Sequence, residues 1–574
     1  MDMMMLAPPR QDAPAPAPTP APVPAAAPVA AVPPPRERVR AGRVVSTSGS
    51  HVIILLAPDP HTLAMVQTGC LVHARGPNAT VYGLIEGLST PMPLPDGDEQ
   101  ELRVAEISII GEVPDGAGPR VFRRGVSRLP SLDTNVYFAS SEDTLVVFDL
   151  PNRQSVCIGT IHQDPLVPAQ VSVDDMLCKH FAMLGTTGTG KSCALTLVLK
   201  RILERSPNGH ILLLDPHGEY GQAFGERAEH LTASNFRLPH WLFNFEELVE
   251  IMFGHARGGM DAEIMCLREL VLAARLAHAG YGADRSGITV DTPVPYMMSD
   301  VTRLLDVAIG SLENRASIPA YLQIRSRIAI LQNDRRFSLL FDTGVVVRDT
   351  LAELLGRIFR IPTNGRPLAV LDLASIPSEV LNVVVAVICR LAFDFAVWGG
   401  QRAPLLLVCE EAHRYAPQDV ALGFEPAKRA LARIAKEGRK YGISLGVVSQ
   451  RPSELDATIL SQCNTVFAFR MSNERDQEII QASLSEASSA MFSALPFLSN
   501  GEAIGIGEGV PVPMRVRFAR LPDNERPRST SASFSERWHS PDSGDTRLDR
   551  FVLALRDRRA AGVDAGEGHP SGPA

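Results

Sequence analysis

Between about residues 175 and 520 the apolar positions fall in short unbroken runs separated by longer helical stretches. His180–Leu184, Ile211–Asp215, Leu368–Leu373, Leu405–Cys409, Ile443–Ser449 and Val466–Arg470 lack the polar alternation of a half-exposed strand. Runs of this kind predict strands covered on both faces, as in a parallel sheet flanked by helices. A mostly helical insertion interrupts the pattern at about 245–365, with Ala262–Leu276 and Ser311–Leu331 as its clearest helices. From about 41 to 165 the texture differs. Arg43–Val45, His51–Leu56, Cys70–Ala74, Val81–Glu86, Val104–Ile110, Asn135–Ala139, Thr144–Phe148 and Val156–Ile161 are short β-type runs broken by Gly, Pro, Asn and Asp. Regular short strands with such breakers predict a small β-barrel or sandwich. No catalytic constellation lies in it, so it reads as an assembly or docking module. The expected class is therefore α/β: a doubly wound domain over 170–522 with a helical insertion, preceded by a small N-terminal β-barrel.

The two ends read differently. Residues 7–35 hold 12 of the 45 prolines, mostly alternating with alanine, which predicts an extended arm over 1–40 without a core. The tail over 523–574 is polar, but Leu548, Phe551, Val552 and Leu555 share one helical face, with Phe534 and Trp538 upstream. These anchors suggest docking on a neighbouring subunit. The longest apolar stretch, Val380 to Trp398, is interrupted by Asn382, Arg390 and Asp394. It predicts a core helix with an i,i+4 pair between Arg390 and Asp394, with no membrane span and a cytoplasmic protein.

Composition narrows the class only slightly. The chain is 574 residues long, 45% hydrophobic and 21% charged, with a net charge of -8, so no global basic field points to nucleic acid. A ring-shaped protein can still keep basic residues in its lumen. The eight cysteines form no CxxC pair and read as buried thiols, with no zinc site or disulfide framework.

The chemistry is concentrated in a few strings. Gly185-Thr186-Thr187-Gly188-Thr189-Gly190-Lys191-Ser192 matches GxxxxGK[ST], after a predicted strand and before a predicted helix. Its glycines let backbone amides turn towards phosphates, Lys191 would reach the β- and γ-phosphates, and Ser192 would hold Mg²⁺. Leu405–Cys409 leads into Glu410 and Glu411. Glu410 would serve the magnesium shell through water, and Glu411 would polarise the attacking water. Gln450, after Ile443–Ser449, would sense the γ-phosphate if that strand lies between the P-loop strand and the acid-bearing strand. Asp215 and Glu219, in Asp215-Pro-His-Gly-Glu-Tyr220, are candidate acids beside the nucleotide, while His217 and His413 read as structural hydrogen-bonders. Lysine occurs only at 179, 191, 200, 428, 436 and 440, so half of the lysines lie in one helix that also carries Arg429, Arg433 and Arg439. Arg439 is the candidate for a guanidinium presented to a neighbouring subunit's transition state.

Taken together these strings resemble the HerA group of hexameric ATPases and DNA translocases, within the FtsK/HerA branch of P-loop proteins. The resemblance runs over about 41–540 and includes Gly-Arg-Val-Val-Ser at 42–46, Arg124-Gly-Val-Ser127, Glu410-Glu-Ala-His-Arg-Tyr-Ala-Pro417, Glu437-Gly-Arg-Lys-Tyr-Gly442 and Ser449-Gln-Arg-Pro452. It implies a RecA-like core, ATP and Mg²⁺ at the interfaces of a six-membered ring, and double-stranded DNA in the lumen. It also implies a barrel that docks a partner nuclease or a sirtuin-like effector, with a role in end processing, repair or anti-phage defence. Lys191, Ser192, Glu410 and Glu411 would act in one subunit and Arg439 would reach in from the next. The acid pair is Glu-Glu where many P-loop enzymes have Asp-Glu, which favours a water-mediated role for Glu410. Arg315, Arg325, Arg327, Arg335 and Arg336 in the insertion are candidates for phosphate contact. The competing reading is a ring scaffold that ATP holds together and that organises an effector without sustained translocation. A membrane-bound DNA pump and a small-molecule kinase fit less well, lacking an anchor and a substrate lid respectively.

Overall fold

Two sheets organise the chain in the computed structural model, which describes residues 39–539 and 552 apart from 50, 91–101, 152, 255–258, 279–284, 342–348, 420–424, 484–488 and 529–533. The arm over 1–38 and the positions Leu548, Phe551 and Leu555 lie outside the described residues. Phe534 and Trp538 sit on the short helix Phe534–His539, ring against ring and exposed.

The first sheet is built from β1 (Arg40–Ser48), β2 (His51–Leu56), β3 (Leu71–Arg75), β4 (Ala79–Ser89), β5 (Val104–Pro114), β6 (Arg123–Arg124) and β7 (Asn135–Phe138). Its order is β2-β1-β7-β3-β4-β5, and β5 pairs back onto β2, closing a six-stranded barrel with β6 appended to β5. Alternate residues point inward, and Val44, Val52, Ile54, Val72, Ile85, Ile107 and Val136 fill the interior.

The structure differs from the sequence pattern at two places here. Thr144–Phe148 is not a strand but most of the helix Ser141–Phe148. The Ser140 hydroxyl accepts the Asp143 amide at 3.1 Å, and the Asp143 carboxylate accepts the Ser140 amide at 3.2 Å. That capping box outweighs the β-branched residues that follow it. Ser155–Ile161 is a strand, but it belongs to the second sheet, so the barrel ends before it and not at 165.

That second sheet has eleven strands: β8 (Ser155–Ile161), β9 (Pro168–Ser172), β10 (Phe181–Leu184), β11 (His210–Asp215), β12 (Ala228–Leu231), β13 (Leu368–Asp372), β14 (Leu405–Cys409), β15 (Ile443–Ser449), β16 (Thr465–Phe469), β17 (Glu502–Gly507) and β18 (Met514–Phe518). The order is β12-β13-β11-β14-β15-β10-β16-β17-β18-β8-β9, parallel from β12 to β16 and antiparallel beyond. The parallel strands are buried along nearly their whole length, as their unbroken apolar runs require. The insertion between β12 and β13 is helical, and its α-helices among the described residues are Phe245–Phe253, Asp261–His278, Met298–Gly310, Ile318–Asn333, Ser338–Phe341 and Leu351–Ile358.

Val380–Gly399 is long and apolar enough to cross a membrane, yet 72% of its most apolar window is buried in the fold. The helix Ser378–Gly399 packs on the sheet, and Arg390 lies 3.5 Å from Asp394 as its spacing predicts. Its stronger partner is Glu247, held through two hydrogen bonds of 2.8 and 3.0 Å. Of the cysteines, Cys266, Cys389, Cys409 and Cys463 are buried but Cys157 and Cys178 are exposed; all eight are free thiols.

Arg124 ties the two sheets together. Its guanidinium donates to the carbonyls of Gly507, Val510 and Pro511 at 2.5–2.8 Å, clasping the turn that joins β17 to β18.

Candidate active site

The loop between β10 and the helix Lys191–Arg205 needs its glycines. Gly188 and Gly190 have φ of 75° and 100°, and a Cβ on Gly185 would stand 2.6 Å from the Phe469 Cβ. The loop therefore presents amides towards a concave face at the start of a 15-residue helix, where a phosphate is favoured. Lys191 is buried and donates to the Gly185 and Thr186 carbonyls at 2.8 and 2.9 Å. Burial lowers its pKa, and Glu411, Glu410 and Glu219 pull the other way.

The two adjacent acids diverge at the end of β14. Glu411 adopts a left-handed backbone at φ 50°, a conformation that costs a β-carbon residue about 1–3 kcal/mol and is held only by its surroundings. Glu410 faces the P-loop helix. Its Oε1 accepts the Ser192 hydroxyl at 3.1 Å and the Tyr220 hydroxyl at 2.9 Å. Its Oε2 is buried without a hydrogen-bond partner. An oxygen of that kind, beside a serine hydroxyl and a phosphate-binding loop, suits a hard divalent cation or its water.

Glu411 faces β15 instead. The Gln450 amide donates to its Oε1, and the Thr187 hydroxyl donates to the Gln450 carbonyl oxygen. His413 Nδ1 lies 3.3 Å from Glu411 Oε2 and 3.1 Å from the Ser449 hydroxyl. Burial lowers the His413 pKa against the pull of Glu411. A cavity of about 550 Å³ opens in front of this group, lined by His217, Glu411, His413, Arg414, Gln450 and Arg451. β15 does lie between β14 and β10, the position that brings Gln450 to the P-loop.

Other candidates take different places. Both oxygens of Asp215 are occupied by its own loop, accepting the His217 amide at 3.2 Å and the Tyr220 amide at 3.0 Å. Burial raises its pKa, and its proximity helps to raise that of Glu410. Its contacts make it the brace that aims Tyr220. Glu219 is half-buried and close enough to act on Lys191 and Glu410 through charge. Arg439 is exposed in the last turn of the helix Glu425–Tyr441, with no ion pair or hydrogen bond among the described residues. That helix enters β15 at the end opposite Gln450, so seven strand residues, about 23 Å, separate Arg439 from its own P-loop. In the insertion, Arg325 pairs with Asp306 and Arg336 chelates Asp334, while Arg315 and Arg327 are exposed. Among the described residues no cluster of His, Cys, Asp and Glu is arranged to hold a metal ion, and His217 Nε2 lies 3.9 Å from Glu411 Oε1.

Tyr220, Ser449 and the contact of His413 with Glu411 were not singled out from the sequence. Tyr220 and Ser449 belong to strings already prominent there, but the contacts that matter cross 190 and 36 positions.

Residues 156–392 match the family model for the central domain of the helicase HerA. Over this segment the chain is similar to HerA. Its match to the DNA double-strand break repair helicase HerA of Pyrococcus furiosus is 26% identical over 465 residues, covering 74% of this chain and 78% of that protein. A probable helicase of Methanocaldococcus jannaschii is 24% identical over 506 residues, covering 84% of this chain and 91% of its own. Among solved structures, VirB4 of Thermoanaerobacter pseudethanolicus aligns at 15% identity and a TM-score of 0.46, over 66% of this chain and 99% of VirB4. The chain carries a P-loop ATPase fold behind an N-terminal barrel.

The Glu410 geometry leads to a pH prediction. Burial, helped by Asp215 and Glu219, pushes its pKa up to about 8 against the hydrogen bonds from Tyr220 and Ser192. Without nucleotide the folded chain therefore holds a proton here that the unfolded chain releases near pH 4.5. Stability from this group falls as pH rises from about 4.5 to 8. Binding of magnesium and nucleotide favours the carboxylate. It should release up to one proton per site at pH 7 and almost none above pH 9, read by calorimetry in buffers of different ionisation enthalpy. Binding at pH 7 without proton release would mean that Glu410 is already ionised.

Proposed function

We propose that this chain is an ATP-driven motor that moves along double-stranded DNA as a ring of six subunits. The barrel docks a partner nuclease or other effector in DNA end processing, repair or phage defence. The observation that carries this reading is the division of the site. The P-loop, Glu410, Glu411 and Gln450 converge at one end of the sheet, while Arg439 lies towards the other with no ion pair among the described residues. A second copy placed head to tail supplies the missing guanidinium. The names of the relatives support DNA as the track, and burial of the long apolar helix in the ATPase core fits work in the cytoplasm.

The residues divide the work. Amides of Gly185–Gly190 and the Lys191 ammonium would hold the β- and γ-phosphates, and Ser192, with Glu410 through water, would hold Mg²⁺. The metal, when bound, neutralises phosphate charge and fixes the phosphate oxygens. Glu411 orients the attacking water and takes its proton, with Gln450 and His413 holding the carboxylate in place. Thr187 sits on the loop that grips phosphate, so the Thr187–Gln450–Glu411 chain reports whether the γ-phosphate is present. Arg439 from the next subunit neutralises the charge that builds on the transferred phosphoryl group.

The test is steady-state ATP hydrolysis with and without linear duplex DNA. Stimulation that weakens steeply between roughly 50 and 200 mM salt is expected, because contacts to phosphates release counterions. Hydrolysis indifferent to duplex DNA at low salt would contradict the motor reading and favour the scaffold.

A further inference from the structure

His180 precedes β10, the strand that ends in the P-loop, and nothing in the mechanism above uses it. It is 2% exposed and adopts a left-handed backbone, φ 60°, a conformation uncommon outside glycine. Both ring nitrogens are engaged. Nδ1 accepts the Leu445 amide of β15 at 2.9 Å. An acceptor Nδ1 places the proton on Nε2, which donates to the Ala435 carbonyl at 3.0 Å. Burial lowers the pKa of the ring, in keeping with this neutral form.

The identity of that carbonyl matters. Ala435 lies in the helix Glu425–Tyr441, one turn before Arg439. In an α-helix the carbonyl at 435 is the acceptor for the amide at 439. His180 thus grips the turn that presents Arg439, and through Leu445 it grips the strand that ends at Gln450. One imidazole joins the strand feeding the P-loop, the strand feeding the water-positioning group and the helix offered to the neighbour.

We propose that His180 is a positioning residue for Arg439, bracing the guanidinium that completes the next subunit's site. This rests on the reading that Arg439 acts in trans. Through the same ring, movement of a subunit's own P-loop strand reaches the arginine it lends to its neighbour.

The test uses full-length oligomers and His180→Gly, which suits the left-handed backbone and removes both hydrogen bonds. DNA-stimulated kcat should fall about 10- to 100-fold, the scale of a displaced catalytic group, with ATP affinity nearly unchanged. A merely structural loss near the P-loop would weaken nucleotide binding as well. Mixing decides where the defect acts. In oligomers assembled from His180→Gly and Glu411→Gln subunits, some sites combine an intact Glu411 with a properly braced Arg439 from the other subunit type. Turnover above the mean of the two parents is expected. Arg439→Ala mixed with Glu411→Gln is the control. Recovery in the control without recovery for His180→Gly overturns the proposal and leaves the trans reading standing, whereas no recovery in the control overturns both. If His180→Gly does not assemble, His180→Asn takes its place. Asparagine tolerates the left-handed backbone and reaches only one of the two partners, and it should show a smaller loss with the same recovery on mixing.

Discussion

Glu411→Gln should hydrolyse ATP about 10²- to 10⁴-fold more slowly than the parent, the contribution expected of a placed general base. Its affinity for ATP should stay nearly unchanged. Glutamine has the same shape and can keep a hydrogen bond to Gln450, so the left-handed turn and the His413 contact have no reason to collapse. What it loses is the capacity to take a proton. Phosphate release and equilibrium nucleotide binding, measured on the same preparation, separate the two effects. Turnover near that of the parent would remove Glu411 from the role of base.

Arg439→Ala should be at least as severe, about 10³- to 10⁵-fold in turnover if it behaves as arginines lent in trans do elsewhere. The fold has no stake in it. Arg439 is exposed and makes no ion pair or hydrogen bond among the described residues, so thermal stability should move little. The combination of an intact fold with a failed reaction separates this residue from its basic neighbours. Lys428 pairs with Asp456 at 3.1 Å, Arg429 with Glu246 at 2.6 Å, and Arg433 lies over the Phe393 ring at 4.2 Å. Alanine at those three positions should cost stability before turnover. A wild-type rate for Arg439→Ala would place the missing positive charge elsewhere.

Most of the central sheet was legible in the sequence because its strands are buried on both faces. Leu405–Cys409 and Ile443–Ser449 have the ends that their apolar runs suggest, since no solvent-facing position interrupts them. The P-loop was legible for a different reason: its spacing is set by a local backbone path. Elsewhere nearby sequence misled. The Ser140–Asp143 capping box turned an apparent strand into a helix, and Ser155–Ile161 found its partner in β18, more than 350 positions away. The same distance effect hid parts of the site. That Tyr220 would donate to Glu410, or that Glu247 and not Asp394 would be the main partner of Arg390, depends on which helices the sheet order brings together. Asp215 shows the converse. Its place at the end of a buried strand suggests an acid behind the nucleotide site, but the two loop amides that it accepts, from His217 and Tyr220, are set by the path of a loop that its apolar strand does not specify.

The measurement closest to the central claim is displacement of a third strand from a triplex built into linear duplex DNA. A protein that tracks along the duplex strips the third strand in step with ATP hydrolysis. The account predicts displacement by the parent chain, loss of it in Glu411→Gln despite retained ATP binding, and recovery when Arg439→Ala and Glu411→Gln subunits are mixed. DNA-stimulated hydrolysis with the third strand left in place would contradict translocation and leave a ring that uses ATP to organise a partner.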